Sequence, residues 1–134
     1  MEKDEIIKLL TVELKSRGYV KKNTTWYKRL NNITHVVNVQ GSQWNSKNYY
    51  VNIAIAVDGF AIKEFPSEGL CQVRERLGEG PNQRNPNIEM ILEEMSAFFS
   101  KYDTLDKIKD SFKRGGQISY IAWGAEFRDF LEGD

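Results

Sequence analysis

One cysteine, one histidine and three prolines are all that the 134 residues hold of these types, and each scarcity removes a class of protein. A lone Cys71 excludes an internal disulfide and any thiolate zinc cluster. A lone His35 leaves no HExxH pair, and the scattered carboxylates form no calcium loop, so neither a metal nor a cofactor is expected. No apolar run approaches the ~20 residues of a membrane span. The charged start MEKDEIIK leads into no signal-like stretch, so a cytoplasmic location without membrane contact is expected. Acidic residues are missing from residues 14–57, which carry Lys15, Arg17, Lys21, Lys22, Lys28, Arg29 and Lys47. The formal net charge is nonetheless zero. Such polarity steers anionic partners unless folding interleaves the basic and acidic parts.

What is present suits one soluble domain, 1–134: 40% of the chain is hydrophobic and 28% charged, enough for a core without staples. Ile6, Leu10 and Leu14 recur every four residues and predict a helix over 3–17, with Ile7 and Leu9 widening its apolar stripe. Gly18 suits the left-handed position after the helix, and Tyr19 the apolar contact that follows.

TTWYKRLNNITHVVNVQ predicts a hairpin, with strands over 24–30 and 33–41. A type I′ turn at Asn31-Asn32 would pair Arg29 with Thr34, Lys28 with His35, Tyr27 with Val36 and Trp26 with Val37. Trp26, Leu30, Ile33, Val37 and Val39 then share a core face. A third strand, 49–57, places Tyr49, Val51, Ile53, Ile55 and Val57 inward. Asp58-Gly59 is a turn signal, and FAIKEF is an ambiguous candidate for an additional strand. LCQVRERLG predicts the last strand, 70–77, with Cys71, Val73 and Leu77 inward and Glu75 out of place among them.

The stretch GEGPNQRNPN is the most loop-like part of the chain and leads to helices over 87–102, 104–114 and 119–131. Asp103 or Thr104 caps the second and Ser119 the third; the third presents Tyr120, Trp123, Phe127, Phe130 and Leu131 on its apolar stripe. Helix, meander, helices: the order defines an α+β class, an antiparallel sheet of four strands, or five with FAIKEF, with helices packed on one face. The other face is then open to solvent or to a partner.

Chemistry is sparse. Cys71 among Val73 and Leu77 is a small inert hydrophobe. His35 faces Lys28 and has no acidic orienting partner near it in sequence, so it reads as a sheet residue and not as a general base. Glu89, Glu93 and Glu94 form the solvated side of an amphipathic helix. Asp103, Asp106 and Asp110 suit capping and helix surface, although a carboxylate pair among them stays open. GEGPN lacks the lysine and helix start of a phosphate loop. The outer sheet face is what remains: Tyr27, Arg29, Asn38, Gln40, Tyr50, Asn52, Gln72, Arg74 and Arg76 share it by parity. Aromatics, amides and arginines on one strip are enriched in protein interfaces and in RNA-stacking sheets. A merely solvated face also carries polar residues.

Three segments taken in order, GYVKKNTTWYKRLNN, VVNVQGSQWNSKNYYVNIAI and CQVRERLG, resemble an uncharacterised, largely bacterial family of domains of unknown function, DUF4304. The family's Phe is here Tyr19, and Gln72 stands where the family often has His, so no shared histidine site is implied. The resemblance brings no established activity with it. Small α+β domains of this style are similar to immunity proteins that neutralise toxins, an analogy of fold.

The expected function is therefore non-enzymatic binding of another protein, as in an immunity-type inhibitor. Asn38, Gln40, Gln43, Trp44, Arg74 and Arg76 are the expected contacts. Trp44 is the aromatic anchor, the arginines meet partner carboxylates, and the amides fix orientation. Nucleic-acid binding through the basic segment 14–57 with Tyr27 and Tyr50 is the alternative. An enzyme resting on His35 or the helical carboxylates is the third.

Overall fold

Helix α1 (Lys3–Ser16) buries Ile6, Leu10 and Leu14, while Leu9 stays 40% exposed and outside the stripe. Its end is built as the glycine suggested. Gly18 adopts φ 91°, its N–H reaches Lys15 O, and the Tyr19 N–H donates to Leu14 O at 2.9 Å. This closure turns the chain and delivers Tyr19 into the core. The computed structural model describes residues 2–41, 48–60, 65–66, 68–77 and 87–133.

Among the described residues five strands follow in a simple antiparallel meander, each neighbour in sequence being a neighbour in space. They are β1 (Val20–Lys22), β2 (Thr25–Arg29), β3 (Ile33–Gly41), β4 (Tyr49–Val57) and β5 (Val73–Arg76). The fifth strand is thus β1, which sequence patterning did not separate from the approach to β2. The middle of FAIKEF lies outside the described residues. Register between β2 and β3 is as the hairpin implied, with Trp26 opposite Val37 and Lys28 opposite His35. The turn itself is not type I′, because only Asn32 has a positive φ, 70°, and that turn needs it at both central residues.

Helices α2 (Ile88–Lys101), α3 (Leu105–Lys113), α4 (Gln117–Ile121) and α5 (Ala125–Glu132) complete the chain. Asn87 caps α2 by accepting from the Met90 N–H at 2.8 Å, and Thr104, not Asp103, caps α3. The predicted helix 119–131 is two helices: Gly124, at φ 102°, breaks it. Ser119 does not cap it; its hydroxyl donates to Gly116 O. As a result Tyr120 and Trp123 leave the apolar stripe and stand 84% and 78% exposed. The backbone of Ala122–Trp123 instead docks on the free edge of β5, the Trp123 N–H donating to Gln72 O at 2.9 Å.

Each of the helices α1 to α5 contributes to a single core against one sheet face, where Ile53, Ile55, Val73, Ile91, Met95 and Phe127 meet. The opposite face is only partly open, which corrects the expectation above. Phe65, Pro66 and the 3-10 turn Glu68–Leu70 lie across its middle. Beneath them Tyr27, Val36, Ala54, Ala56 and Cys71 form a second, smaller buried cluster. The Tyr27 hydroxyl donates to Pro66 O at 2.8 Å. Ala54 and Ala56 are small because backbone must pass over them. Replacing Ala54 by Leu is expected to cost about 1–3 kcal/mol by overpacking. A thiol reagent should then label Cys71 faster than in the native protein, and unchanged labelling would show the covering segment to be held elsewhere.

Candidate partner-binding face

The antiparallel registers place residues of one parity in rungs that run across the sheet. On the outer face one rung reads Lys22, Thr25, Asn38, Asn52, Arg76. The next, towards the loop ends, holds Gln40 opposite Tyr50. The one on the other side is Val20, Tyr27, Val36, Ala54, Arg74; its middle, Tyr27 to Ala54, lies buried under the covering residues, while Val20 and Arg74 stay exposed.

Across these two rungs the amides form one network. Asn38 Nδ2 donates to Thr25 Oγ1 at 3.0 Å, and Asn52 Nδ2 donates to Gln40 Oε1 at 3.0 Å and to Asn38 Oδ1 at 3.4 Å. Arg76 closes it, giving Nε–H to Asn52 Oδ1 at 3.2 Å and an Nη2 hydrogen to Gln40 Oε1 at 3.4 Å. Its guanidinium carbon lies 4.1 Å from the centroid of the Tyr50 ring. Asn52 is 3% exposed, and burying an amide is tolerated only because its hydrogen-bonding groups are used. Arg76 and Gln40 remain exposed. The result is an arginine held from below by amide oxygens and from the side by a ring, its remaining donors facing outward.

Arg74 behaves differently. Its Nε and Nη2 grip the two oxygens of Glu68 at 2.9 and 3.1 Å, and Glu68 is only 8% exposed. That pair pins the 3-10 turn to β5, with the Arg74 side chain half exposed above it. Gln72 likewise leaves the polar strip: its Oε1 accepts from the Val57 N–H and its Nε2 donates to Phe60 O, both at 3.1 Å. It thereby stitches the end of β4 to the turn that follows. Cys71 lies on the covered outer side and not on the core face, and burial pushes its thiol up to about 12, which keeps it unreactive. Gln43 and Trp44 lie outside the described residues. The expected set therefore divides: Asn38, Gln40 and Arg76 come together, Arg74 stands beside them in another role, and two positions are not described.

Sequence reasoning missed a groove of about 610 Å³ at the β5 edge, lined by Phe60, Leu70, Gln72, Arg74, Ile121 and Trp123. Leu70 is 54% exposed at its rim. The signal was YIAWG, where Gly124 stops the helix before Trp123 can turn inward. A larger cavity of about 760 Å³ between α2, α3 and α4 is bordered by ion pairs already made, Lys107–Asp103 at 2.8 Å and Arg114–Asp110 at 3.2 Å.

His35 lies inward beneath α2, 3% exposed, with Nε2 2.8 Å from Tyr102 O and its ring stacked on Phe99 at 4.1 Å. That is the satisfied sheet residue expected of it, although Asp103 also lines the adjoining cavity of about 500 Å³. Among the described residues no group of His, Cys, Asp and Glu side chains is placed to hold a metal ion, and no helix is long and apolar enough to cross a membrane.

The described cations of the basic segment do not form one patch. Arg29 grips Asp58, its Nη2 lying 2.6 Å from Oδ2, and Arg17 sits 4.0 Å from Glu13. Lys21 lies over Trp26 and Lys28 over Tyr19 on the core side, while among the described cations of the segment Lys22 alone joins the outer rung, its ammonium 4.8 Å over the Phe65 ring.

Fold and face together define a small α+β domain: a five-stranded meander with helices on one side and a polar, arginine-bearing strip on the other. The chain belongs to the family described as a domain of unknown function, DUF4304, whose model matches residues 10–113. The match runs from α1 to the end of α3 and stops short of Trp123. No curated protein matches the chain, and no solved structure does.

Proposed function

We propose that this is a non-enzymatic protein-binding domain whose contact surface is the outer sheet face beside β5. The observation that carries the reading is the amide network that holds Arg76 on Tyr50 with its remaining donors outward. A pre-ordered arginine forfeits little side-chain entropy on binding, and arginine with adjacent aromatics is the composition of interface hot spots. The groove at Leu70 and Trp123 adds an apolar neighbour, with Arg74 between the two. An immunity-type inhibitor that covers a toxin is the form of this reading that the small α+β architecture suggests.

Nucleic-acid binding has less support. A base-stacking sheet needs open ring faces, but Tyr27 is 6% exposed under Phe65 and Tyr50 carries Arg76. The test is affinity capture from an extract of the native source, with nuclease treatment, using the native chain and the exposed-face variant Arg76→Glu. A protein retained by the native chain through nuclease treatment, and lost with Arg76→Glu while circular dichroism shows that variant still folded, is the expected result. Retention indifferent to Arg76→Glu, or abolished by nuclease, would overturn it.

A further inference from the structure

We infer that the segment of the partner received by this face is extended and acidic, and lies along the rung from Lys22 to Arg76. The inference rests on the protein-binding reading and gives its partner a chemistry. The two ends of the rung are cations, Lys22 on β1 and Arg76 on β5, and the three positions between them are Thr25, Asn38 and Asn52. No carboxylate belongs to this rung or, among the described residues, to the Gln40–Tyr50 rung beside it. The acid of the covering segment, Glu68, is already held by both nitrogens of Arg74.

The network also sets the sign of what is left over. The oxygens of Asn38, Asn52 and Gln40 are spent on Asn52 and Arg76. An incoming ligand therefore meets the guanidinium over Tyr50 at one end and, at the other, the exposed Lys22 ammonium 4.8 Å over the Phe65 ring, and it meets them as hydrogen-bond donors. Neighbouring strands lie about 4.8 Å apart, so the four steps from β1 to β5 span about 19 Å. A single small anion cannot bridge that distance, whereas an extended peptide covers it in about six residues. A single-stranded nucleic acid would also supply spaced negative charge, but the two rings it would stack on are buried or already capped.

The experiment is fluorescence anisotropy on the purified full chain with four labelled probes of about ten units each, long enough for the span. These are a Glu-Ser repeat peptide, its Gln-Ser and Lys-Ser counterparts, and oligouridylate. The Glu-Ser peptide is expected to bind at least ~10-fold more tightly than the Gln-Ser one at low salt and to weaken as salt rises. Lys22→Gln and Arg76→Gln should each weaken it ~3–5-fold, and the double variant by about the product, since the sites are far apart. Arg29→Gln, whose guanidinium is paired with Asp58 away from the rung, should leave it unchanged.

Equal binding of the Gln-Ser peptide, or indifference to both rung substitutions, would overturn the acidic assignment. If Arg76-dependent protein capture persisted alongside such a result, this inference would fall and the protein-binding reading would stand. Tighter binding of oligouridylate, together with capture abolished by nuclease, would sink both.

Discussion

Replacing Trp26 by Ala is expected to lower the free energy of unfolding by about 3–5 kcal/mol, the range for emptying a fully buried large aromatic site. Trp26 is 1% exposed, sits in the second strand with Val37 opposite it, and packs into the main core. Among the described residues its indole nitrogen has no hydrogen-bond partner, which separates the ring's packing from its polarity. A buried donor without an acceptor costs about 1–3 kcal/mol relative to one that is paired. Trp26→Phe removes that donor along with part of the ring, so the cavity penalty and the polar relief oppose each other. The phenylalanine variant should therefore lie within about 1–2 kcal/mol of the native protein. Urea unfolding of both variants measures this. A Phe variant as unstable as the Ala variant would mean that the indole N–H makes a bond, through solvent, that matters.

Much of this architecture was legible because two periodicities do not depend on the partner element. The four-residue recurrence of Ile6, Leu10 and Leu14 marks a buried helical stripe wherever α1 docks. The alternation in β3 and β4 fixes parity, so Asn38, Gln40 and Asn52 could be put on one face without knowing the fold. The Leu30–Ile33 hairpin then set the register of four cross-strand pairs. What was not legible depended on long-range cover. Nothing local says that Phe65, Pro66 and the turn Glu68–Leu70 will cross the outer face, and so Tyr27 and Cys71 could not be known to be buried there. The alanines at 54 and 56 were a trace of that crossing, since a solvated face has no need of two consecutive outward alanines. Gly124 was visible, yet a glycine inside an amphipathic pattern is often tolerated. Only the docking of Ala122–Trp123 on β5 shows why it breaks the helix here. The site split along the same line. Arg76 lies where parity put it, beside Asn52 and Gln40, because those partners are its neighbours in the sheet, whereas the Arg74 contact could not be read because Glu68 comes from the covering segment.

Stability should fall by about 3 kcal/mol between pH 7 and pH 4 on account of His35 alone. Burial lowers its pKa from the usual 6.5 to about 4, against the opposing pull of the Tyr102 carbonyl. Lys28 beside it adds to the lowering, and Asp103 opposes it. The sign follows from proton counting. Between pH 6.5 and 4 the unfolded chain carries the imidazolium and the folded chain does not, so acid draws the equilibrium towards the unfolded state. Above about 6.5 the penalty vanishes, and below about 4 both states are protonated and it stops growing. The ring joins strand to helix: it stacks on Phe99 of α2 and donates from Nε2 to the Tyr102 carbonyl that follows that helix. The folded protein consequently holds one tautomer, protonated at Nε2 and neutral at physiological pH. Asp58 and Asp103 are held below the ordinary carboxylate range, each chiefly by its hydrogen bond to Arg29 or Lys107. They add the same sign of dependence at lower pH, which makes the subtraction of a variant necessary. His35→Phe keeps an aromatic ring against Phe99 and removes the titration. It should be less stable than the native chain at pH 7, because the Tyr102 carbonyl loses its donor, at a cost of about 1–3 kcal/mol. The gap should close or reverse by pH 4. Parallel pH profiles of urea unfolding for the two chains would show that His35 is protonated while folded, and that the contact between the sheet and α2 survives its charging.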